Sequence, residues 1–339
     1  MRTLELSRKE EEKATDLHRE SIIVDGCQAS VFLDEYFKTV RDAGIAATIP
    51  TVAWNHNLRE AVKLVSDWYA KIHRNSDTAL FATSIGDVLR AKDEGRVAYI
   101  FGFQNILPLE GNTELLEVYK RLGVRIIQLT YNERNLAGDG CDERTDRGLS
   151  RFGINVIERM NKLGILLDLS HVGDRTTAEA IEISDFPVVS HANARALCKN
   201  ARNKTDEHIT AIAEKGGIVG ITAYPSFVKW TRTERGERPT VADVLDHLEY
   251  VVEFAGVRHV GLGLDFIENT PPEEFELLAS RPEIWGLPNP KGIYEYPVGL
   301  EGISKIINIT RGLVTRGYSD TEIKKILGEN WLTLLRRVL

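Results

Sequence analysis

The chain is poor in cysteine, and it contains neither a long apolar run nor a cluster of basic residues. Its three cysteines, Cys27, Cys141 and Cys198, are odd in number and widely spaced along 339 residues. This spacing argues against a disulfide framework and suits a reducing compartment. No apolar run reaches about 18 residues, and the charged amino terminus has no apolar signal core. We therefore expect a soluble, cytoplasmic protein that does not associate with a membrane.

The charge balance is mildly acidic, with 50 Asp and Glu against 43 Lys and Arg and a formal net charge of −7. Since no run of Lys and Arg marks a phosphate-binding surface, we expect no nucleic-acid partner. The default partner is a small molecule. The apolar fraction of 42% is large enough for a sizeable core.

Eight short apolar runs alternate with segments whose apolar residues recur at helical spacing. This alternation predicts a (β/α)8 TIM barrel that forms a single domain over residues 1–339. A doubly wound open sheet is the alternative, but no glycine-rich phosphate loop follows the first run. The eight predicted strands are Ile22–Asp25, Ala46–Val52, Val97–Phe103, Arg125–Tyr131, Ile165–His171, Pro187–His191, Gly217–Ala223 and His259–Phe266.

Helices are predicted at both ends of the chain, at about residues 5–20 and over Glu301–Thr315 and Ser319–Val338. Three segments are too long for plain connections between strands and helices. They follow the fourth, seventh and eighth predicted strands, so they leave from the barrel face where active sites lie. We expect Asn132–Ser150, Tyr224–Thr240 and Glu268–Pro297 to cover the pocket.

Two of the predicted strands end in the same dipeptide, Ser170-His171 and Ser190-His191, and a helical segment lies between them. Parallel strands joined by a helix bring their carboxyl ends side by side. Each histidine alone would be read as an ordinary hydrogen-bonded residue. Because two occupy equivalent places, they predict a shared metal or substrate site.

Other polar residues fall at the remaining strand ends. Asp265 follows a glycine-rich run and is a candidate proton carrier or ligand, or a partner in a salt bridge. Tyr131 could donate to an oxyanion, Arg202 could clamp a carboxylate, and Cys27 could be a thiolate ligand. Each also has an ordinary interpretation: a barrel-mouth aromatic, a solvated loop arginine and a buried small residue. The full set at the strand ends is Cys27, Gln28, Thr51, Gln104, Tyr131, His171, His191, Tyr224 and Asp265.

Several long motifs resemble the membrane (renal) dipeptidase family, peptidase family M19. They are Asp168-Leu-Ser-His171, Ser190-His-Ala-Asn-Ala-Arg-Ala-Leu197, Asn200-Ala-Arg-Asn203, Gly148-Leu-Ser-Arg-Phe-Gly153, Gly261-Leu-Gly-Leu-Asp265 and Gly328-Glu-Asn-Trp-Leu332. The resemblance runs from about Val24 to the end and is densest over 148–222. It implies a metal-dependent amidohydrolase on a (β/α)8 barrel, with a homodimer by analogy.

The resemblance also implies roles for individual residues. Family members hold two zinc ions, and the two histidines that bind the second ion correspond to His171 and His191. The arginine that binds the carboxylate of the dipeptide corresponds to Arg202. The aspartate that handles the substrate amine and transfers protons corresponds to Asp265.

The first strand departs from the family pattern, which has Asp-Gly-His-x-Asp where this chain has Asp25-Gly-Cys-Gln-Ala29. The bridging glutamate of the family aligns with Gln104, and a further histidine aligns with Tyr131. Two Zn²⁺ ions a few ångströms apart repel, and a bridging carboxylate holds them together. We therefore expect one metal ion, Zn²⁺ on His171, His191 and Cys27, or none.

Three functions follow from these observations. The first is a divergent amide hydrolase of the dipeptidase type, in which Asp265 and Tyr131 are catalytic and Arg202, Gln104 and Tyr224 contact a substrate with a carboxylate. The second is a metal-free acid–base enzyme, a lyase or isomerase, on the same barrel. The third is a binding protein without catalytic activity.

Overall fold

The structure, a computed structural model, describes residues 5–229, 237–271 and 295–339. Ten strands are assigned within these residues, and all their pairings are parallel. They are β1 Ile23–Gln28, β2 Ile45–Ala53, β3 Ala79–Phe81, β4 Val97–Tyr99, β5 Phe101–Phe103, β6 Val124–Gln128, β7 Leu166–Asp168, β8 Pro187–Val188, β9 Val219–Ile221 and β10 Val260–Leu262.

Helices lie between the strands along the chain, which confirms the predicted alternation. The α-helices are Arg8–Glu20, Asp34–Asp42, Leu58–Arg74, Ile85–Asp93, Leu115–Arg121, Arg151–Leu163, Asp174–Ile183, Asp206–Glu214, Pro225–Val228, Val241–Ala255, Ile307–Thr315, Asp320–Lys324 and Asn330–Leu335. The first of them begins at a capping box between Ser7 and Glu10, which satisfies amide groups that the helix leaves open.

The strands form a barrel. The sheet runs in the order β8-β7-β6-β5-β2-β1-β10-β9, and a bridge between Val189 and Val219 joins its two edges. The predicted (β/α)8 barrel is therefore confirmed. Its eight strand positions correspond to the eight predicted runs, because β4 and β5 both lie within Val97–Phe103 and both pair with β2.

Two differences from the prediction concern short elements. The strand β3 was not predicted; it has three residues, too few to show a period, and it pairs with β4 outside the ring. The run Val97–Phe103 is divided at Ile100. Neither difference changes the order of the strands around the barrel.

The predicted helix Ser319–Val338 is not continuous. A π-helical turn at Lys325–Glu329 separates two α-helical pieces, because the chain passes against the start of β1 at Gly328. A Cβ on Gly328 would lie 2.0 Å from the carbonyl oxygen of Ile22, so only glycine fits there. The predicted helix Glu301–Thr315 likewise starts with a 3-10 turn at Ile303–Lys305 and becomes α-helical at Ile307.

The barrel is packed on both sides of its wall. Two apolar clusters form the core: a large one, and a smaller one that joins strand residues to the helix Ile85–Asp93 and to Trp331. Trp331 is fully buried against Gly26 and Gly261, where a Cβ would lie 2.3 Å and 2.5 Å from the indole ring. The carboxyl-terminal segment therefore closes one end of the interior, and the strand ends at the other carry the polar residues.

The long segments predicted to cover the pocket are only partly described. Asn132–Ser150 contains no assigned helix or strand, although it makes isolated bridges at Tyr131 and Gly140. Tyr224–Thr240 begins with the short helix Pro225–Val228, and its residues 230–236 lie outside the described residues. Most of Glu268–Pro297, residues 272–294, also lies outside them, so its predicted place over the pocket stays a prediction.

Candidate active site at the strand ends

Three buried side chains from distant parts of the chain converge at the carboxyl end of the barrel. Cys27 lies on β1, His191 stands three residues after β8, and Asp265 stands three residues after β10. Each offers one potential ligand atom, and these atoms all lie within 4.8 Å of one another. The fold thus joins residues that are up to 238 positions apart in sequence.

Glycines permit this convergence. A Cβ on Gly220 would lie 2.1 Å from the carbonyl oxygen of Ser190, and one on Gly263 would lie 1.7 Å from it. Any side chain at either position would force the strand ends apart. Gly220 and Gly263 therefore permit a close approach of the backbone next to the converging residues.

The second histidine lies beside this group. His171 Nε2 is 2.9 Å from His191 Nε2, and His171 Nδ1 is 2.6 Å from the side-chain oxygen of Asn132. The ring of Tyr131 stacks on the imidazole of His171 with centroids 4.1 Å apart. The structure thus places His171 beside His191, as predicted. Asn132 and Tyr131 hold the ring of His171 in place.

The backbone at the site is strained. Asn132, His171 and Asp265 have φ values of 61°, 57° and 55°, in the left-handed region that residues with a Cβ rarely adopt. Only two other non-glycine residues share this feature within the part of the chain that the structure describes. Strain of this kind persists where the surrounding structure enforces it, and it concentrates at functional sites.

Two buried aspartates tie neighbouring strand ends together. Asp25 Oδ1 accepts hydrogen bonds from the amides of Leu264, at 2.9 Å, and Cys27, at 3.4 Å. Asp168 Oδ1 accepts from the amides of Ser170, at 3.0 Å, and Ser190, at 2.9 Å. The first carboxyl group links β1 to β10 and the second links β7 to β8, so together they fix the relative positions of the converging residues.

The surroundings of Cys27 are polar. The amide nitrogen of Gln104 lies 3.1 Å from Cys27 Sγ and 2.8 Å from the hydroxyl of Thr51, and it donates to both. Cys27 Sγ is 3.7 Å from Asp265 Oδ1. A cavity of about 10 Å³, the space of one water molecule, is lined by Cys27, Thr51 and Gln104 together with Asp168 and Ser190.

Arg202 is fully buried, and only part of its hydrogen-bonding capacity is used. One guanidinium nitrogen, Nη2, donates to the carbonyl of His191 at 2.9 Å, and the group lies 4.8 Å above the ring of Phe227. Its Nε and Nη1 find no hydrogen-bond partner among residues 5–229, 237–271 and 295–339. Buried donors without an acceptor are costly, so this guanidinium is suited to an anion that enters from outside.

Burial shifts the pKa values of the ionisable groups at the site. Burial and the neighbouring charges of Arg202 and Lys204 lower the pKa of His191 well below its usual value. Burial, with Asp265 nearby, raises the pKa of the Cys27 thiol well above its usual range. Burial also raises the pKa of Asp265 to about 7, although Arg202 opposes the shift. The site therefore favours neutral groups until a cation or an anion enters it.

Tyr131 and Tyr224, the two predicted tyrosines, have different surroundings. Burial, with Asp265 nearby, raises the pKa of Tyr131 well above 10, so its phenol keeps the proton. Tyr224 belongs to an aromatic cluster with Phe227, at 4.7 Å, and Tyr296, at 6.3 Å. The Tyr296 hydroxyl donates a hydrogen bond to the backbone carbonyl of Asp265. The ring of Tyr296 therefore connects Tyr224 to the converging residues.

Residues that support the site were missed from the sequence. Asn132, Asp25 and Asp168 each contact the converging side chains or the backbone beside them, yet none stood out as a candidate. Asp168 and Asn132 carried a weak signal, since each lies within three residues of a candidate. Their hydrogen bonds run to other strands, which sequence spacing does not show.

The sequence profile of the membrane dipeptidases, peptidase family M19, matches residues 5–285 of the chain. The chain belongs to this family. Among curated proteins it is 30% identical to the dipeptidase tcpJ of Claviceps purpurea over 266 residues, which are 78% of this chain and 56% of that protein. It is 31% identical over 264 residues to an uncharacterized dipeptidase of Schizosaccharomyces pombe, covering 76% of this M19 member and 57% of the yeast protein. The chain thus spans little more than half the length of these relatives.

Solved structures of the same fold agree with this assignment. A crystal structure of an amidohydrolase from Pseudomonas aeruginosa superposes with a TM-score of 0.87 at 34% identity, covering 96% of this chain and 98% of that one. A metallopeptidase from Rhodobacter sphaeroides, liganded with a phosphinate mimic of the dipeptide L-Ala-D-Ala, superposes with a TM-score of 0.77. At 19% identity, with 94% of this M19 chain and 100% of that chain covered, this likeness shows the fold alone.

No helix among the described residues of this M19 protein is long and apolar enough to cross a membrane. The three cysteines are not joined in disulfides, as their spacing predicts.

Proposed function

We propose that this M19 protein hydrolyses the amide bond of a small dipeptide-like substrate with the help of one metal ion. The observation that carries the proposal is the convergence of Cys27, His191 and Asp265 within 4.8 Å. A thiolate, an imidazole and a carboxylate are the donors that Zn²⁺ binds in proteins. We assign the ion to Cys27, His191 and His171, whose Nε2 is 2.9 Å from His191 Nε2. This set leaves one position for water and keeps Asp265 beside it for proton transfer.

The residues fit one ion better than two. The family positions that would add carboxylates hold Ala29 and Gln104, and Gln104 turns an N–H donor, which cannot bind a cation, toward Cys27. Asp25 and Asp168 are the other buried carboxyl groups nearby, and both accept backbone amides. Without a bridging carboxylate, the repulsion between two close Zn²⁺ ions is uncompensated.

A bound Zn²⁺ would supply Lewis-acid polarisation of the amide carbonyl and make water more acidic. In this proposal, Asp265 takes the proton of the attacking water and returns it to the leaving amine. Its pKa is about 7 without metal, and a bound cation would lower it, so the ionised carboxylate needed for the first step is favoured. Tyr131 keeps its phenol proton and donates it in a hydrogen bond to the developing oxyanion.

Arg202 is assigned to the carboxylate of the substrate. Its Nε and Nη1 are buried donors without an acceptor among the described residues, and charge-assisted hydrogen bonds from a guanidinium suit a carboxylate. The names of the curated relatives, dipeptidases, support such a substrate. Gln104 and Tyr224 border this space in the proposal and contact the rest of the substrate.

Two further proposals concern assembly and location. By analogy with the family, we propose that the chain forms a homodimer. From the small number and wide spacing of its cysteines, we propose a cytoplasmic location.

Metal analysis combined with a substrate panel tests the main proposal. The purified protein is loaded with Zn²⁺, dialysed and analysed for bound metal, and amine release is followed with dipeptides and their carboxyl-terminal amides. We expect one equivalent of zinc, and hydrolysis of dipeptides that a chelator abolishes. Cys27→Ser should weaken zinc binding, whereas Cys198→Ser, at a buried cysteine that is not one of the converging residues, should not.

The main alternative is a metal-free acid–base enzyme, which the facing histidine pair also favours. It would show activity that survives chelators and depends on pH through an imidazole. Absence of bound zinc after loading would refute the metal-dependent mechanism, and binding without turnover across the panel would indicate a protein that only binds its ligand.

A further inference from the structure

Ser190 sits between a carboxylate and the ring of His191. Its hydroxyl oxygen lies 2.5 Å from Asp168 Oδ2 and 2.6 Å from His191 Nδ1. A hydroxyl has one proton, so Ser190 can donate to only one of these two atoms. The direction of that proton determines which ring nitrogen of His191 is protonated.

The partners of Asp168 settle this direction. Its Oδ1 accepts three hydrogen bonds, from the amides of Ser170 and Ser190 and from the Ser170 hydroxyl, at 2.8–3.0 Å. These donors hold the carboxylate in one orientation and leave Oδ2 facing the Ser190 hydroxyl. Every other neighbour of this carboxyl group is a donor, so Oδ2 also accepts and the Ser190 proton points to Asp168.

The ring of His191 must then donate to Ser190. Its proton sits on Nδ1, and the lone pair of Nε2 points into the site. His171 is arranged in the same way from the other side, because its Nδ1 faces the side-chain oxygen of Asn132 at 2.6 Å. Two nitrogen lone pairs thus face each other at 2.9 Å, an arrangement that favours a cation beside both.

We propose that Asp168 and Ser190 are positioning residues that lock His191 in the Nδ1-protonated tautomer and so prepare its Nε2 to bind the metal ion. Partners of this kind orient metal-binding histidines in other proteins. This inference rests on the proposed metal site for its purpose, but the tautomer is a property of the protein alone.

The substitution Asp168→Asn tests whether Asp168 and Ser190 fix the tautomer of His191. The neighbouring donors determine how the new amide group must be oriented. The backbone amides of Ser170 and Ser190 require an oxygen acceptor at the Oδ1 position, so the new NH2 group takes the Oδ2 position. It donates to Ser190, whose hydroxyl proton then turns to His191 Nδ1. The ring proton moves to Nε2, and the lone pair no longer faces the metal position.

Metal affinity gives the first readout. We expect Co²⁺, titrated optically, to bind about 100-fold more weakly to Asp168→Asn and about tenfold more weakly to Ser190→Ala. Ser170→Ala is the matched control, because it removes another hydroxyl from the same carboxylate. That hydroxyl contacts the backbone amide of His191 at 3.1 Å and the Ser190 hydroxyl at 3.2 Å, but not the imidazole. The metal affinity of this control should stay within about twofold of the unsubstituted protein, and equal losses in all three variants would contradict the lock.

The tautomer itself gives the second readout, in metal-free protein. Nitrogen-15 NMR of labelled histidines at pH 8 distinguishes Nδ1–H from Nε2–H rings, and a His171→Ala background removes the facing ring. The His191 signal, assigned by its loss in His191→Gln, should show Nδ1–H, and Asp168→Asn should convert it to Nε2–H. If Asp168→Asn does not fold, Ser190→Ala should show a mixture of the two tautomers.

The two readouts separate the lock from the proposed function. An Nε2–H ring in the parent protein, or no change on substitution, overturns the lock. A tautomer that changes as expected in a protein that binds no zinc supports the lock and refutes the metal-dependent hydrolase.

Discussion

The two sides of the site differ in how closely they follow the pattern of the M19 family. On the side of β7 and β8, His171 and His191 match the family, and the hydrogen bonds of Asp168 and Asn132 hold them. On the side of β1 and β5, Cys27, Ala29 and Gln104 replace the residues expected there. Both sides have the same backbone frame, since Asp25 joins β1 to β10 much as Asp168 joins β7 to β8. The two sides therefore share a backbone frame and differ in the side chains that we propose as metal ligands.

The sharpest test of this comparison exchanges one residue on each side. We expect His191→Gln to lower kcat/KM by about 1,000-fold, because it removes a ligand from the better-formed half. Cys27→Ser should lower it by about tenfold, since a hydroxyl can still bind the ion weakly. Steady-state kinetics with zinc-loaded protein measures both.

Equal losses of kcat/KM in His191→Gln and Cys27→Ser would show that the two sides of the site do not differ in their contribution to activity. Cys198→Ser serves as the control for the loss of a buried thiol, and its kinetics should not change.

Arg202, on the histidine side, should govern recognition of the substrate carboxylate. Arg202→Met removes two unpaired donors and should raise KM for a dipeptide about 100-fold, since hydrogen bonds to charged groups contribute about 1.5–3 kcal/mol. The KM for the matching amide should change little. Arg195→Met is the control. Arg195 lies in the same loop as Arg202, but it pairs with Asp174, at 2.6 Å, at the start of the helix Asp174–Ile183. A similar change with both substrates would argue against the assigned role.

Asp265 lies where the two halves meet, and its pKa predicts a pH dependence. As a general base it must be ionised, so kcat/KM should fall about tenfold per pH unit below its pKa. The pKa is about 7 without metal, and a bound cation would lower it by favouring the carboxylate. The acidic limb should therefore lie at or below pH 7, and Asp265→Asn should abolish it together with most of the activity.

The same pKa predicts an opposite effect on stability in metal-free protein. A carboxyl whose pKa is raised by folding contributes stability below its unfolded pKa of about 4, and this contribution is lost as pH rises through about 7. Asp265→Asn should thus raise the melting temperature at pH 8 and have no such effect at pH 4. A variant that is less stable at both values would indicate that Asp265 is held mainly by Arg202.

The smallest effect is expected from restoring carboxylates to the altered side. Gln104→Glu combined with Ala29→Asp should raise bound zinc from one to two equivalents per chain while changing kcat/KM by only about threefold. Metal analysis and kinetics of the double variant measure this. Zinc that stays at one equivalent would show that Cys27 itself excludes the second ion.

Much of the barrel was predictable because it depends on local pattern. The eight apolar runs alternate with helical periods, and all eight correspond to strand positions in the ring. The break at Gly328 was not predictable, since the residues around it are good helix formers and the cause is contact with Ile22. The strand β3 was missed because three residues do not establish a period.

The sequence predicted which residues belong to the candidate site better than it predicted how they are arranged. His171, His191, Asp265, Arg202 and Cys27 stood out by position or by resemblance. Their supporting residues did not, because Asn132 and Asp25 act through hydrogen bonds to other strands. The same holds for Asp168, whose partner Ser190 lies beyond a whole helix.

The sequence by itself determined the strand order, the family and the place of the chemistry, since these follow from periodicity, motifs and the geometry of parallel strands. Only the tertiary structure decided which atoms meet: Cys27 with Asp265, His171 with His191, and Arg202 with two donors left open. The physical reason is that strand ends converge only when the barrel closes, and burial then sets the charge of every group there. Close approach of the backbone at Gly220 and Gly263 brings the strand ends together.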